Sequence, residues 1–132
     1  MLSIHSTSSN RELRISRGQG AYFVVEIVGH RVTALTEVWI DDDAAHLGRF
    51  FVDLGANERP WKGTREWQSL EGDLKFSVTC NALGNVTFDI HLSGMPGAPE
   101  EWSVRVGLDT ELGQLPRIGE EAEELLNAKD AP

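Results

Sequence analysis

Leu74-Lys-Phe-Ser-Val-Thr-Cys80, Val86-Thr-Phe-Asp-Ile-His-Leu92 and Trp102-Ser-Val-Arg-Val-Gly-Leu108 are the stretches that decide the fold. In each, apolar and mostly polar residues alternate with a period of two. Side chains two apart share one face of a strand, so Leu74, Phe76, Val78 and Cys80 point one way, as do their counterparts in the next two stretches. One face reads as core and the other as wet, the pattern of an antiparallel meander. Pairing core with core requires an even residue sum, such as 76 with 90. A two-residue turn at Leu83-Gly84 would make the sum odd and turn one strand over. The spacing therefore predicts a loop over Asn81–Asn85 with Gly84 left-handed, and a longer connection over Ser93–Glu100.

Working toward the N-terminus, residues 56–65 read as a loop. Before them Leu47, Phe50, Phe51 and Leu54 fall at i, i+3, i+4 and i+7, one apolar helical stripe. Asp41-Asp42-Asp43 suits the start of that helix and Gly55 the C′ position after its end. Residues 21–28 and 31–39 read as a hairpin around Gly29-His30, with Gly29 opening a type II′ turn and Ile27 opposite Val32, Val25 opposite Ala34, Phe23 opposite Thr36. Apolar residues on both faces predict partial cover on both sides. Leu13 and Ile15 mark one further short strand. Toward the C-terminus, Pro116 starts a helix with Ile118, Ala122, Leu125 and Leu126 on its buried side. The expectation is one domain over residues 1–132, with 1–10 and 128–132 loosely ordered. Its class is α+β: six to seven mainly antiparallel strands, curled toward a sandwich or half-barrel, with one inserted and one C-terminal helix.

The chain of 132 residues has a formal net charge of −9. Residues 37–58 carry −5 and residues 98–132 carry −6. That sign opposes nucleic-acid backbones and anionic membrane surfaces and favours a basic protein partner. The one cysteine, Cys80, excludes an internal disulfide and fits a cytoplasmic location. It falls on the apolar face and reads as buried and inert. No apolar run approaches the ~20 residues of a bilayer span, and the N-terminus lacks the pattern of a signal peptide.

Motif-based chemistry is sparse. Asp41–Asp43 with His46 lacks the spacing of a calcium loop, and the four histidines show no zinc-ligand spacing. Gly18-Gln-Gly20 lacks the phosphate-loop pattern, and no G-x-S-x-G elbow occurs. Glu66, Glu71 and Asp73 are carboxylates near one another in sequence, with Glu71-Gly72 at a turn. No cofactor and no catalytic residue are expected. The best binding candidate is Arg59-Pro-Trp61-Lys62-Gly-Thr-Arg65-Glu-Trp67, extended to Glu71, because Trp and Arg are enriched at binding hot spots. Trp67 reads as entering the core. Trp61 either pins the loop or stands as an exposed anchor.

Trp61-Lys-Gly63, Trp67-Gln-Ser-Leu-Glu-Gly72-Asp-Leu74, Gly84-Asn-Val86-Thr-Phe88, Trp102 and Leu112-Gly-Gln-Leu115 together resemble a bacterial family, domain-of-unknown-function family 6228, over about residues 20–128. That family brings no activity or catalytic residue with it. The later half also resembles immunity proteins of the WapI type, in strand rhythm more than in motifs. This second resemblance implies a cytoplasmic antitoxin that binds and blocks a toxin domain. The expectation is a non-enzymatic binding protein, an immunity-like inhibitor of a basic partner. The alternative is a small-ligand binder with a pocket near Trp61 and Trp67. Exposed strand edges also make a homodimer an expectation.

Overall fold

The computed structural model describes residues 1–40 and 44–127. Eight strands form two antiparallel four-stranded sheets. The first sheet contains β1 (Leu2–His5), β2 (Glu12–Arg17), β3 (Tyr22–Gly29) and β4 (Val32–Trp39), in that order. The second contains β5 (Arg65–Gln68), β6 (Leu74–Cys80), β7 (Asn85–Gly94) and β8 (Trp102–Glu111). Helix α1 (Ala44–Gly55) joins the sheets, and a 3₁₀ turn over Leu112–Gln114 leads into α2 (Leu115–Asn127). The α+β class and the antiparallel pairing agree with the sequence reading, but the strand count is eight rather than six to seven.

The two additional strands are short. β1 lies within residues 1–10, expected to be loosely ordered, yet Leu2 and Ile4 are fully buried and pair with Ile15 and Leu13. Two apolar residues alternating with Ser3 and His5 are too few to announce a strand. β5 has four residues and begins on Arg65, at the end of the stretch read as loop. The expected loose ordering of 128–132 and the helix start at Asp41–Asp43 lie outside the described residues.

The meander has the register that the even-sum argument requires. Phe76 pairs with Ile90, and Ile90 with Val106. The β6–β7 turn closes with Asn81 N–H donating to the Asn85 carbonyl (3.0 Å), and Gly84 sits at φ 86°.

The β3–β4 hairpin differs from expectation. Its two turn residues are His30 and Arg31, both at positive φ (51° and 70°), which makes a type I′ turn. Gly29 instead pairs with Val32, so Ile27 faces Ala34, Val25 faces Thr36 and Phe23 faces Val38. Both registers have an odd sum, so the inward-facing set is unchanged. Gly29 is needed because a Cβ there would run into the Asn10 carbonyl. Asn10 in turn accepts the His30 N–H through Oδ1 (2.7 Å), which holds the turn down. The hairpin's second face is covered only in part: Val24 and Val28 are half-buried, whereas Leu35 is 55% exposed and Tyr22, opposite Trp39, is exposed.

The inner faces of both sheets share one core with the helices. Phe51 of α1 stands edge-on to Phe76 of β6 (5.6 Å) and over Phe88 of β7 (6.3 Å). The predicted stripe residues Leu47, Phe51, Leu54, Ile118, Ala122, Leu125 and Leu126 are all buried, and Phe50 is half-buried. Val104 and Trp102 are also only half-buried, toward the start of β8. A Cβ on Gly94 would fall inside the Trp102 ring, so that glycine gives the indole its place.

α1 crosses α2 at glycines. Gly55 is the last residue of α1, and its φ is not positive, so it is not a left-handed C′ residue. A Cβ there would sit 2.9 Å from the Leu115 carbonyl oxygen and 3.1 Å from Pro116 Cα. A Cβ on Gly48 would meet only the Leu126 side chain, at an ordinary 3.6 Å from Cδ1 and 3.8 Å from Cβ. Gly55→Ala should therefore destabilise by about 1–3 kcal/mol through backbone crowding. Gly48→Ala should stabilise by up to about 1 kcal/mol through helix propensity. Denaturant unfolding of the two variants checks the contrast, and equal shifts would refute the crossing geometry.

Candidate functional site

The Arg59–Glu71 segment leaves α1, forms β5 at the edge of the second sheet and enters the turn to β6. Of its two tryptophans, Trp61 takes the loop-pinning alternative, and Trp67, expected to enter the core, is only partly buried against it. Trp61 is only 8% exposed and belongs to the core. Its Nε1 is buried and, among the described residues, has no hydrogen-bond partner, and the Arg65 guanidinium lies over its ring at 5.3 Å. Trp67 is half-buried and stacks on Phe76, its cross-strand partner, at 5.7 Å. An edge strand has a neighbour on one side only, so a side chain on β5 cannot be enclosed as one on β6 is. Arg59, Lys62 and Glu71 are exposed.

The six residues do not converge on one point. Arg65 and Trp67 share a face of β5, and Arg65 reaches Trp61. Arg59 and Lys62 lie in the loop before β5, whereas Glu71 lies in the turn beyond its other end. Beside Trp67 an open groove of about 310 Å³ is lined by Glu66, Trp67, Gln68, Lys75, Phe76 and Ser77. It offers an indole wall with one carboxylate and one ammonium at its rim, a set suited to holding a small polar-aromatic group.

The block Trp67-Gln-Ser69-Leu-Glu-Gly72-Asp73-Leu74 is explained by turn chemistry. Ser69 Oγ donates to Asp73 Oδ1 (2.6 Å) and accepts from Leu74 N–H (3.1 Å). Ser69 N–H donates to the Leu74 carbonyl and Gly72 N–H to the Ser69 carbonyl. Gly72 sits at φ 74°. Ser69 and Asp73 are buried polar residues that satisfy each other, and Glu71 stands at the exposed tip of the turn.

Elsewhere the chemistry-bearing residues hold the fold together. Among the described residues no three His, Cys, Asp or Glu form a group able to hold a metal. His46 is exposed on α1, and Cys80 is half-buried at the end of β6 rather than buried. Arg105 Nε donates to Asp89 Oδ1 (3.0 Å) across β7 and β8, and this hydrogen bond holds the Asp89 carboxyl below its ordinary value. Arg14 donates to Glu12 Oε1 (2.9 Å) and lowers the Glu12 carboxyl in the same way, with help from His5.

A second polar hollow of about 310 Å³ is lined by Ser6, Ser8, Ser9, Arg11, His30, Gly107 and Asp109. There Arg11 donates to the carbonyls of Gly107 (2.8 Å) and His30 (3.1 Å), and Thr7 N–H donates to the Asp109 carbonyl (2.9 Å). Sequence reasoning missed this junction, because nothing local signals that residues 6–11 meet residues 107–109.

Fold and site together define a small α+β protein of two antiparallel sheets with a tryptophan-walled groove on one edge strand. The chain belongs to a family of unknown function, DUF6228, which it matches over residues 6–129. No curated protein matches it.

Trp61→Ala should cost about 3–5 kcal/mol in denaturant unfolding, as for a large core aromatic. Trp67→Ala should cost distinctly less, and equal losses would contradict the placement of the two rings. The lowered Asp89 carboxyl makes the native state bind fewer protons than the unfolded chain on the acid side. Its stabilisation is therefore complete above the unfolded carboxylate range and is lost as pH falls through the lowered native value. Asp89→Asn should be less stable than wild type at neutral pH, with the gap closing in acid titration.

Proposed function

We propose that the protein is a non-enzymatic binding protein, an immunity-like inhibitor that docks a basic protein partner through the outer face of α2. The observation that carries this reading is the charge left free on that helix. Glu120, Glu123 and Glu124 are exposed and, among the described residues, make no ion pair. Glu121 alone is engaged, accepting from Arg117 and from Ser3 N–H. α2 carries four glutamates against one arginine, so its outer face is the acidic side of the layer it forms with α1. Such a field speeds capture of a cationic surface and opposes nucleic acid. The likeness to WapI-type immunity proteins supports the same reading, with the bacterial cytoplasm as its setting. Among the described residues no helix is long and apolar enough to cross a membrane.

The second reading, a small-ligand binder, rests on the half-exposed Trp67 stacked on Phe76 beside the groove. A ligand there would change the emission of the wild type but not of Trp67→Phe.

The inhibitor reading is tested with tagged wild type and the triple variant Glu120→Gln, Glu123→Gln, Glu124→Gln, each used to retain proteins from the source lysate at low and high salt. A basic protein held by wild type, weakened by salt and lost with the triple variant, is the expected result. Equal retention by both baits, or turnover of a hydrolase panel abolished by Glu71→Gln, would overturn it.

A further inference from the structure

Two four-stranded sheets have four edges, and three of them are closed or short. At β1, Ser3 N–H donates to Glu121 of α2 (2.9 Å). At β8, the Asp109 carbonyl accepts Thr7 N–H and the Gly107 carbonyl accepts Arg11. β5 has four residues, two of them charged. β4 has eight, Val32-Thr-Ala-Leu-Thr-Glu-Val-Trp39, with one charge and no Lys, Pro or Gly. It lacks the devices that keep an edge strand from pairing.

The direction of its free backbone groups follows from one bond. Ile40 N–H donates to the Ala21 carbonyl (3.2 Å), so even-numbered residues turn their backbone toward β3. By the alternation of antiparallel ladders, Thr33, Leu35, Glu37 and Trp39 turn theirs to the open side. Among the described residues none of these four makes a hydrogen bond there. Their side chains also form the uncovered face, with Leu35 55% exposed.

We propose that this edge is where a second copy of the chain docks, β4 against β4 across a two-fold axis centred on Leu35. The register is selected by chemistry. A bonded pairing must match odd with odd residues. Centring on Glu37 sets two carboxylates face to face, and centring on Thr36 sets Leu35 opposite a carboxylate. Centring on Leu35 sets Leu35 against its copy and Glu37 against the second copy's Thr33. Arg31 of the second copy then lies diagonal to Glu37 on the same face, and symmetry makes that charge complementarity twofold. On the inner face the half-buried Val32, Ala34 and Thr36 gain a covering strand.

This inference goes beyond the inhibitor reading and has the opposite response to salt. Two chains of −9 repel, so screening should tighten the dimer, whereas it weakens a basic partner. Sedimentation equilibrium of the wild-type protein at low and high salt should show a dimer that strengthens with salt. Leu35→Lys, at an exposed position, should weaken it by about tenfold or more. Glu37→Arg should weaken it as well, and adding Arg31→Glu should restore it. Amide exchange at Thr33, Leu35 and Glu37 should slow as concentration rises. A monomer at every concentration and salt, or a dimer indifferent to Leu35→Lys, would overturn the proposal.

Discussion

The contact on which the rest depends is the meeting of Phe51 with Phe76 and Phe88. It fastens α1 to the second sheet from the middle of the helix. α1 is also the covalent link between the two sheets and the platform for α2. Gly55 falls one turn after Phe51, and there the backbone of Leu115 and Pro116, at the start of α2, comes close. α2 then reaches back to β1 and closes that edge through Glu121. One aromatic cluster thus couples the second sheet, both helices and the first strand of the first sheet. Edge-to-face and stacked rings contribute only about 0.5–1.5 kcal/mol per pair beyond their burial. Their importance lies in position, since Phe51 ties α1, the covalent link between the sheets, to β6 and β7.

How much of this was legible follows from how far each signal reaches. The β6–β7–β8 meander was readable because one face is core and the other wet, so its period survives in the chain. The parity argument then placed Phe76 opposite Ile90 without any structure. The β3–β4 register was not readable, because Gly29 looks like the first residue of a turn. It sits at φ 97° as the residue before the turn and also admits the Asn10 backbone from the loop between β1 and β2. Gly55 misled in the same way: a glycine at a helix end suggests a left-handed stop, and only the position of Leu115 and Pro116 shows that it answers a helix crossing. A glycine advertises either φ or proximity, and the sequence does not say which.

The candidate site shows the same limit from the side of function. Trp67 and Trp61 are chemically alike and six residues apart. What separates them is that β5 is an edge strand, a fact of topology. The Ser69–Asp73 pair accounts for the Trp67–Leu74 block of this chain as a hairpin device. Arg105 with Asp89 serves likewise as a cross-strand tie, and Arg14 joins Glu12 on its own strand to Glu26 on β3. When so many polar groups are engaged with one another, a function is better sought on surfaces where they are not.

Two such surfaces remain, and the sheet order sets them apart. α2 lies against β1, at one end of the first sheet. β4 is at the other end, with β2 and β3 between them. Adjacent strands lie about 4.8 Å apart, so three steps hold the two surfaces on the order of 14 Å apart in the sheet direction. An assembly through β4 therefore need not cover Glu120, Glu123 or Glu124. A two-fold axis at Leu35 would instead carry the two acidic helices to opposite flanks, and a dimer built this way presents two equivalent faces to cationic partners. On the proposed readings, the charge that would weaken self-association at low salt is the same charge that would attract a cationic partner, and the separation of edge from helix would let one chain carry both interactions.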